Sequence, residues 1–518
     1  MDRKWWTLVA VCTGVFMLLL DITIVNVALP DIQRAFNASL SDLQWVIDAY
    51  ALTLAAFLLT AGSIADLVGR RRVFAIGVIV FTLGSLLCGT ATSSLFLTLA
   101  RGLQGVGGAI MFATSLALLA QAFRGRERGV AFGAFGAVTG VAVAVGPVLG
   151  GAITSGLSWR WIFFVNIPIG VAALVVTMWK IDESRDPNAH RPDWLGFVTF
   201  SAGLAGLVFG MIRSNADGWS STTVVGSLVA AAAFLTAFVV VELVQRQPMF
   251  DLKLLRVPTF DGGLAAAWGI SASLFALLTY LVLYLQDTLG LSALQTGLRF
   301  LPLTGAIFLT AGVAGRLTTR VPIRWLIGPG FVLIGAGLLM MRGLTASSQW
   351  THLLPGMVVA GVGAGLVNVP LASTAVGVVE PSRAGMASGI NSTFRQVGIA
   401  TGVAGLGAIF TSHLRSSVTH TLAGTPLADH AQQIATAVSG GQVGRALAAA
   451  PPAARGVLLN STRVGFVHGL NVILLVGAIV AFAAALPAFG LIRQKDFVVA
   501  PNSESSPPVQ AEPAATAG

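Results

Sequence analysis

Long apolar stretches recur along nearly the whole of this chain, and they constrain its fold more than any other feature. Most of them run for about 20 residues or more, the length that an α-helix needs to cross the hydrocarbon core of a bilayer. Only 10% of the 518 residues are charged, against about 25% in soluble proteins, so lipid must be the main solvent. Because backbone groups in lipid find no water to bond, each stretch must be helical. The chain is therefore predicted to be an all-α membrane protein.

Fourteen spans are predicted, and an even number places both termini on the same side. If the N-terminus is cytoplasmic, 20 of the 31 Lys and Arg residues fall in cytoplasmic segments, nine fall outside and two lie within spans. This asymmetry follows the positive-inside rule and explains the net charge of +10 without a nucleic-acid partner. We expect a multi-pass protein of the inner (cytoplasmic) membrane with both termini cytoplasmic. The predicted spans cover residues 6–29, 44–66, 74–92, 96–122, 129–153, 161–180, 194–212, 221–243, 260–286, 297–316, 324–343, 352–378, 386–411 and 466–491.

A weak internal repeat groups most of these spans into two sets of six. The sequences GSIADLVGRRRV (residues 62–73) and GRLTTRVPIRWL (residues 315–326) both run from a Gly at a helix end through basic residues into the next span. Two six-helix halves with spans seven and eight inserted between them would produce this pattern. The predicted units are an N-terminal bundle at 1–180, two inserted linker helices at 181–258, a C-terminal bundle at 259–495 with an external loop at 412–465, and a disordered cytoplasmic tail at 496–518.

Three ionisable side chains lie inside the first half of the membrane region. Asp21 falls in span one, Asp48 in span two and Arg101 in span four, each about 6–12 Å below the outer edge at 1.5 Å per residue. Ionisable groups at this depth are costly and are functional candidates by default. Because burial disfavours a charged carboxyl and a nearby Arg favours it, a cluster of the three suits proton coupling. The alternatives are a static buried ion pair and a carboxylate that caps a broken helix.

Two further segments of the first half contain glycines at suggestive places. Asp66 at the cytoplasmic end of span two is followed by Gly69 and three arginines, which fits either a latch between helices or an ordinary loop turn with interfacial charges. Span five, from Gly136 to Gly151, is interrupted at Gly146-Pro147. The proline would bend the helix there, which could serve a functional movement. The spaced glycines fit simple close packing of helices equally well.

Polar side chains also occur within two spans of the second half. Four of them fall in spans twelve and thirteen: Asn368, Asn391, Arg395 and Gln396. They could line a water-accessible cavity or form hydrogen bonds between helices. The sequence slightly favours hydrogen bonds between helices. Together with Asn26 and Gln104 from the first half, Asn368, Asn391 and Arg395 are the candidate substrate-cavity residues. Several aromatic residues, Phe275 among them, are weaker candidates for the same cavity.

The sequence contains none of the common motifs for nucleotide binding, hydrolysis or metal binding. It contains no GxxxxGK[ST], GxSxG or HExxH, and its six histidines show no metal-ligand spacing. We therefore expect no enzymatic activity, no catalytic residue, no metal and no cofactor, and a proton gradient rather than ATP as the energy source.

The segments that carry these residues resemble, in order along the chain, the motifs of the major facilitator superfamily. The match is specifically to its fourteen-span drug:proton antiporter family, and it covers roughly residues 5–495. The matching segments are LDITIVNVALP around Asp21, WVIDAYAL around Asp48, GSIADLVGRRRV, LTLARGLQGVGGA around Arg101, GVAVAVGPVLGG and WRWIFFVNIPIG.

The resemblance implies a role for each motif. It assigns proton coupling to Asp21, Asp48 and Arg101, and a conformational lock to Gly62, Asp66, Gly69, Arg70 and Arg71. The antiporter motif comprises Gly140, Gly146, Pro147, Gly150 and Gly151, and its association with exporters supplies a direction of transport.

The expected protein is thus a monomeric proton-coupled antiporter with two six-helix bundles plus two inserted helices. It would export small lipophilic drugs or antibiotics by alternating access, with protons, lipophilic small molecules and the lipid bilayer as its partners. A dedicated exporter of one endogenous metabolite is the main alternative, and a non-transporting membrane sensor is a remote one.

Overall fold

The computed structural model describes residues 2–123, 125–185, 192–318, 320–379, 384–423, 425, 427–439 and 452–497. Within these ranges, fourteen helices are long and apolar enough to cross a membrane, which confirms the predicted number. Residues 498–518 of the predicted tail lie outside the described residues.

The helices are numbered in chain order, and one short helix, α14, stands between the last two spans. The spanning helices are α1 Arg3–Phe36, α2 Leu40–Val68, α3 Arg70–Gly89, α4 Ser94–Ala122, α5 Gly125–Gly156, α6 Trp161–Lys180, α7 Trp194–Asp217, α8 Thr222–Val244, α9 Pro258–Thr288, α10 Ala293–Leu317, α11 Arg324–Met341, α12 Leu354–Gly377, α13 Ala384–Leu422 and α15 Pro452–Leu491; α14 is Ala431–Ser439.

Local sequence explains where several helices begin and end. The backbone N–H of Asp42 donates to Ser39 Oγ, and Asp42 Oδ2 accepts from the Ser39 N–H, so this capping box starts α2. Gly69 separates α2 from α3 with a φ of 130°, which a residue with a side chain rarely adopts. The connection between these two helices is therefore a single residue long.

Packing divides the spanning helices into the two sets that the repeat predicted, with two helices left over. In the N-terminal set α4 packs against α2 and α3, and α1 packs against α5. In the C-terminal set α12 packs against α10 and α11, and α15 packs against α11 and α13. The inserted helix α7 packs against α8 and also contacts α2 of one bundle and α13 of the other.

The two bundles meet mainly along two helix pairs, α2 with α13 and α5 with α10, and α1 also contacts α9. We call the end of the molecule that carries Arg3 and Leu491 the terminal face, and the opposite end the far face. Five hydrogen bonds between described residues link the bundles, and all of them lie in the half nearer the far face. They join Gln44 Nε2 to Tyr280 Oη (3.1 Å) and to the Val403 carbonyl (3.1 Å), Thr279 Oγ1 to Asn26 Oδ1 (3.2 Å), Gln286 Nε2 to the Val27 carbonyl (2.7 Å), and the Leu294 N–H to Ser155 Oγ (2.9 Å).

The segment 412–465, predicted as a loop, is largely helical in its described part. Helix α13 continues to Leu422, α14 covers Ala431–Ser439, and α15 already begins at Pro452. Leu414, Val418 and Leu422 recur at helical spacing and are buried in the main apolar core. Because this stripe packs against neighbouring helices, the helix continues where hydropathy alone predicted its end.

Candidate functional site

A buried ion pair lies inside the N-terminal bundle. Asp21 Oδ2 of α1 accepts from Arg101 Nη1 of α4, with Asp21 0% and Arg101 3% exposed. The guanidinium also donates to the Val46 carbonyl at 3.3 Å and lies over the Tyr50 ring, with 4.1 Å between Cζ and the ring centroid. Two residues of the predicted cluster are therefore in direct contact, and α2 supplies part of their surroundings.

A small network of neutral polar groups surrounds this ion pair. Gln104 Nε2 donates to Asp21 Oδ1 at 2.9 Å, while Gln104 Oε1 accepts from Arg101 Nη1 at 2.7 Å. Asn166 Nδ2 lies 3.4 Å from Asp21 Oδ1 and 2.9 Å from Ser85 Oγ. Hydrogen bonds from several helices thus satisfy both oxygens of the carboxylate, which is the condition for tolerating a buried charge.

Asp48 does not join this network, and the prediction of a single three-residue cluster is wrong. Asp48 is fully buried, and neither of its carboxyl oxygens has a hydrogen-bond partner among the described residues. Gln44, one turn earlier on the same face of α2, donates to Tyr280 of the C-terminal bundle, and Asp48 is close enough to act electrostatically on that tyrosine. Asp48 lies at a depth similar to that of Asp21, but its side chain faces the C-terminal bundle.

An apolar cavity lies between the two bundles, on the far-face side of the middle of the molecule. Helices α1, α5, α9 and α10 form its walls, and α9 contains a π-helical turn, Ser271–Phe275, at this level. Such turns are frequent at functional sites. The lining residues are Thr23, Asn26, Val27, Val143, Pro147, Leu274, Phe275, Leu278, Val282, Phe300, Leu303, Thr304 and Ile307.

The five predicted substrate-cavity residues occupy three different settings. Asn26 lines the cavity between the bundles, whereas Gln104 is engaged with Asp21 and Arg101 inside the N-terminal bundle. Asn368 Oδ1 accepts from Arg395 Nη2, which links α12 to α13 within the C-terminal bundle. Asn391 is buried, and its amide nitrogen has no hydrogen-bond partner in the described ranges.

Glycines of the predicted antiporter motif lie where α5 meets its neighbours most closely. A Cβ on Gly146 would stand 1.9 Å from Thr23 Oγ1 of α1, and one on Gly151 would stand 2.4 Å from the Ala293 carbonyl oxygen of α10. A Cβ on Gly150 would lie 2.7 Å from Ile24 of α1. By contrast, a Cβ on Gly140 would make only ordinary contact with Phe308, at 3.6 Å. The motif therefore provides close packing to α1 and also to the opposite bundle.

The residues of the predicted lock form a compact arrangement at the terminal face. Arg70 Nη2 pairs with Asp66 Oδ1 at 2.8 Å, and the Arg70 N–H donates to the Ser184 carbonyl at 2.9 Å. The N–H of Arg71 donates to Glu183 Oε1 at 3.1 Å. The start of α3 is thereby attached to the segment that follows α6. Gly62 has open space around the position of a Cβ.

Three residues of these sites were missed by reasoning from sequence. Ser85 and Asn166 are small polar residues within apolar helices and complete the shell of Asp21. Nothing distinguishes Ser85 in the sequence, although Asn166 lies inside the quoted segment WRWIFFVNIPIG. Glu183 lies three residues after the end of α6, and only the structure shows that it contacts Arg71 and Arg72. Among the described residues, no group of three or more His, Cys, Asp or Glu side chains could hold a metal ion.

Two helical bundles that meet around an apolar cavity, with charged groups buried beside it, define a polytopic membrane transporter. Residues 11–403 match the family model of the Major Facilitator Superfamily. The chain belongs to this superfamily, as its motifs predicted.

Relatives that align over most of the chain are named for drug or antibiotic resistance. The multidrug resistance protein Stp of Mycobacterium tuberculosis (strain CDC 1551 / Oshkosh) is 37% identical over 413 residues, 80% of this chain and 77% of that protein. The tetracenomycin C resistance and export protein of Streptomyces glaucescens is 32% identical over 524 residues, 100% of this chain and 96% of that protein.

A solved structure has the same fold at low sequence identity. The bacterial homologue of the human lysosomal transporter Spinster, in an inward-facing and unoccupied conformation, superposes with a TM-score of 0.60 at 18% identity. The alignment covers 96% of this chain and 99% of that one. This likeness supports the superfamily fold.

Proposed function

We propose that this protein is a proton-coupled antiporter that exports small lipophilic drugs or antibiotics across the cytoplasmic membrane by alternating access. In this proposal the terminal face is cytoplasmic, because the Lys and Arg residues of the short loops are concentrated there. The names of two relatives, a multidrug resistance protein and a resistance and export protein, support both the substrate class and the direction.

The observation that carries the proposal is the buried, unpaired carboxyl of Asp48 beside the contact between the bundles. A buried carboxylate without a partner is costly, so this group is suited to take up a proton in the conformation seen here. Movement of α2 relative to α13 would change its surroundings and release the proton. Proton exchange at Asp48 would thereby follow the same motion that moves substrate.

Asp21 and Arg101 would take a different part in the same cycle. Their ion pair is fully formed and supported by amide donors, so any change in the surroundings of Asp21 requires the guanidinium to move away or lose contact. Arg101 would therefore couple Asp21 to movement of α4 relative to α1. Two carboxyls in different settings would thus respond to different conformations.

The apolar lining of the cavity supports the proposed substrate class, and the cavity would widen during the transport cycle, since in this conformation its free space is close to that of a water molecule. Among its lining residues only Thr23, Asn26 and Thr304 carry polar side chains, so burial of apolar surface would supply most of the binding free energy. The hydrogen bonds that close the far face leave the terminal side as the route of entry. The close α5–α10 contact would stabilise the conformation in which the bundles meet near the far face.

The proposal is tested by measuring drug-induced proton movement in proteoliposomes with an imposed proton gradient. The drugs are puromycin and ethidium, and the variants are Asp48→Asn and Asp21→Asn. Asp217→Asn is the matched control, since Asp217 pairs with Arg213 on a partly exposed surface of α7. We expect wild type and control to exchange protons for drug, and both test variants to lose at least ten-fold in rate. Drug-dependent proton movement at the wild-type rate in both test variants would refute the proposed coupling.

A dedicated exporter of one endogenous metabolite is the second candidate function. The relative from Streptomyces glaucescens, named for resistance to and export of tetracenomycin C, aligns over 100% of this chain. A narrow substrate would give proton exchange with a single compound, for which tetracenomycin C is the first candidate, and none with puromycin or ethidium. Exchange with chemically unrelated drugs would exclude this second function.

A further inference from the structure

A second pair of acidic side chains lies in the inserted helices, away from the residues discussed so far. Asp193 precedes α7 and caps it, and Glu242 lies in the last turn of α8. Both are almost fully buried, with 6% of Asp193 and 3% of Glu242 exposed. The surrounding apolar cluster includes Phe197, Phe200 and Phe238. Two acidic groups in such surroundings require a specific explanation, because buried charges are normally paired.

One oxygen of each carboxyl is satisfied by N–H donors. Asp193 Oδ1 accepts from the Gly196 N–H and from Gln245 Nε2, both at 2.8 Å. Glu242 Oε2 accepts from the Phe250 N–H at 3.0 Å. The remaining two oxygens, Asp193 Oδ2 and Glu242 Oε1, are buried and have no hydrogen-bond partner within the part of the chain that the structure describes.

These two unsatisfied oxygens face each other. Each lies 2.6 Å from the point where a Cβ on Gly196 would stand, which places them within about twice that distance of each other. Gly196 therefore leaves open the space into which both carboxyls point, and any side chain there would separate them.

No cation among the described residues neutralises the pair. The remaining charged group that acts electrostatically on Glu242 is Asp251, which is also acidic. Two fully ionised carboxylates in this position would repel each other and leave both oxygens unsatisfied. The elements packed around the pair carry several cations, among them Arg213, Arg246, Lys253, Arg256 and Arg395. Arg213 pairs with Asp217 and Arg395 donates to Asn368. Neither Asp193 nor Glu242 takes part in an ion pair among the described residues.

We propose that Asp193 and Glu242 share one proton and form a proton-binding site in the inserted helices. The proton is bonded to one of the two facing oxygens and is donated to the other, so that the pair carries a single negative charge. One proton then satisfies both unpartnered atoms, as in other sites where two carboxyls are forced together. This site is separate from Asp21, Asp48 and Arg101, and it does not depend on the proposed drug transport.

The location of the pair indicates what the shared proton would do. It connects the start of α7 to the end of α8 and to the segment that contains Phe250. Rings from both bundles contact this region: Phe57 of α2 lies 4.8 Å from Phe197, and Phe394 of α13 lies 6.3 Å from Phe250, between ring centroids. Release of the proton would therefore loosen the inserted helices from both bundles at the terminal face.

Amide substitutions test the proposal, because each one imitates the protonated pair. In Glu242→Gln or Asp193→Asn, the new amide nitrogen donates to the opposite carboxylate while the oxygen keeps its existing N–H donors. In the double variant two NH₂ groups face each other. Either amide could present its oxygen instead only by flipping, and it would then lose the hydrogen bonds that its oxygen accepts from the N–H donors. We expect each single variant to melt close to wild type at acidic pH, and the double variant to melt clearly below both.

The dependence of stability on pH provides the second readout. The folded protein holds a proton that the solvated carboxyls of the unfolded chain release at neutral pH. Stability of the wild type should therefore fall as the pH rises through release of that proton, and this fall should be weaker in both single variants. Asp217→Asn, on the same helix but partly exposed, should keep the wild-type dependence. Infrared difference spectra should show one protonated carboxyl fewer in Glu242→Gln than in the control.

Three results would overturn the proposal. The first is a double variant as stable as the single variants. The second is a pH dependence and a protonated-carboxyl signal that are unchanged in Glu242→Gln. The third is a wild-type protein whose melting temperature falls on addition of a chelator and recovers with Mg²⁺ or Ca²⁺, because the facing oxygens would then bind a divalent cation. Since melting and infrared spectra do not require transport, failure of this proposal is distinguishable from failure of the proposed function.

Discussion

The ion pair of Asp21 and Arg101 permits a quantitative test of the network in the N-terminal bundle. The change Asp21→Asn keeps the shape of the side chain and one acceptor oxygen but removes the charge. Asp21 is 0% exposed and Arg101 is 3% exposed, so the guanidinium would remain buried without its counter-ion. Removing one member of a buried pair costs about 3–5 kcal/mol.

The remaining partners of Arg101 determine where in this range the loss should fall. Its Nη1 would keep Gln104 Oε1 at 2.7 Å, and its Cζ would stay 4.1 Å from the centroid of the Tyr50 ring. We therefore expect a loss of about 3 kcal/mol, the lower end of the range. The double variant Asp21→Asn/Arg101→Gln removes both buried charges, and it should recover most of this loss.

Equilibrium unfolding in mixed micelles, followed by tryptophan fluorescence, measures the free energy for the four corners of this mutant cycle. Asp217→Asn serves as the control and should change stability by no more than about 0.5 kcal/mol, as surface substitutions do. A loss below about 1 kcal/mol for Asp21→Asn would mean that the charge is not desolvated as the geometry implies. A double variant less stable than Asp21→Asn alone would refute the reasoning as well.

Three further predictions follow from particular contacts. Asp48→Asn should retain wild-type stability within about 0.5 kcal/mol, because it replaces a carboxyl that has no partner, while drug-dependent proton movement is lost; loss of folding would contradict this. Gly151→Leu should widen the far face, since a Cβ would lie 2.4 Å from the backbone of α10, whereas Gly156→Leu has no atom within 4 Å and should not; distances between spin labels on the far ends of α5 and α10 report the difference. Gly69→Ala should cost roughly 1–3 kcal/mol in unfolding experiments, because φ is 130° and the Cβ would stand 2.7 Å from the Glu183 carboxyl; an unchanged melting temperature would show that this turn is not constrained.

The number and order of the membrane helices could be predicted because they depend on local properties. A stretch of apolar residues long enough to cross a bilayer forms a helix whatever its neighbours are, since lipid offers the backbone no other partner. The same approach misjudged the limits of α13 and α15, which continue beyond the apolar stretches. There, tertiary packing of one stripe of side chains replaces lipid as the apolar surroundings.

The candidate sites show that the sequence does not predict the contacts of individual side chains. Position along a helix gives depth in the membrane, which grouped Asp21, Asp48 and Arg101 correctly by height. It does not give the direction in which each side chain points around the helix axis, so Asp48 could not be distinguished from its neighbours. The facing carboxyls of Asp193 and Glu242 were missed for the same reason, because they come from different helices and meet only when α7 and α8 pack together.

The sequence by itself thus determined the membrane class, the helix count, the superfamily and the short motifs that carry charge or glycine. The tertiary structure decided which of those charges are paired, which carboxyl is left without a partner, and which face of the molecule is closed. The physical reason is that apolar burial in lipid is a property of each segment, whereas hydrogen bonds and ion pairs depend on the relative rotation of helices that are distant in the chain.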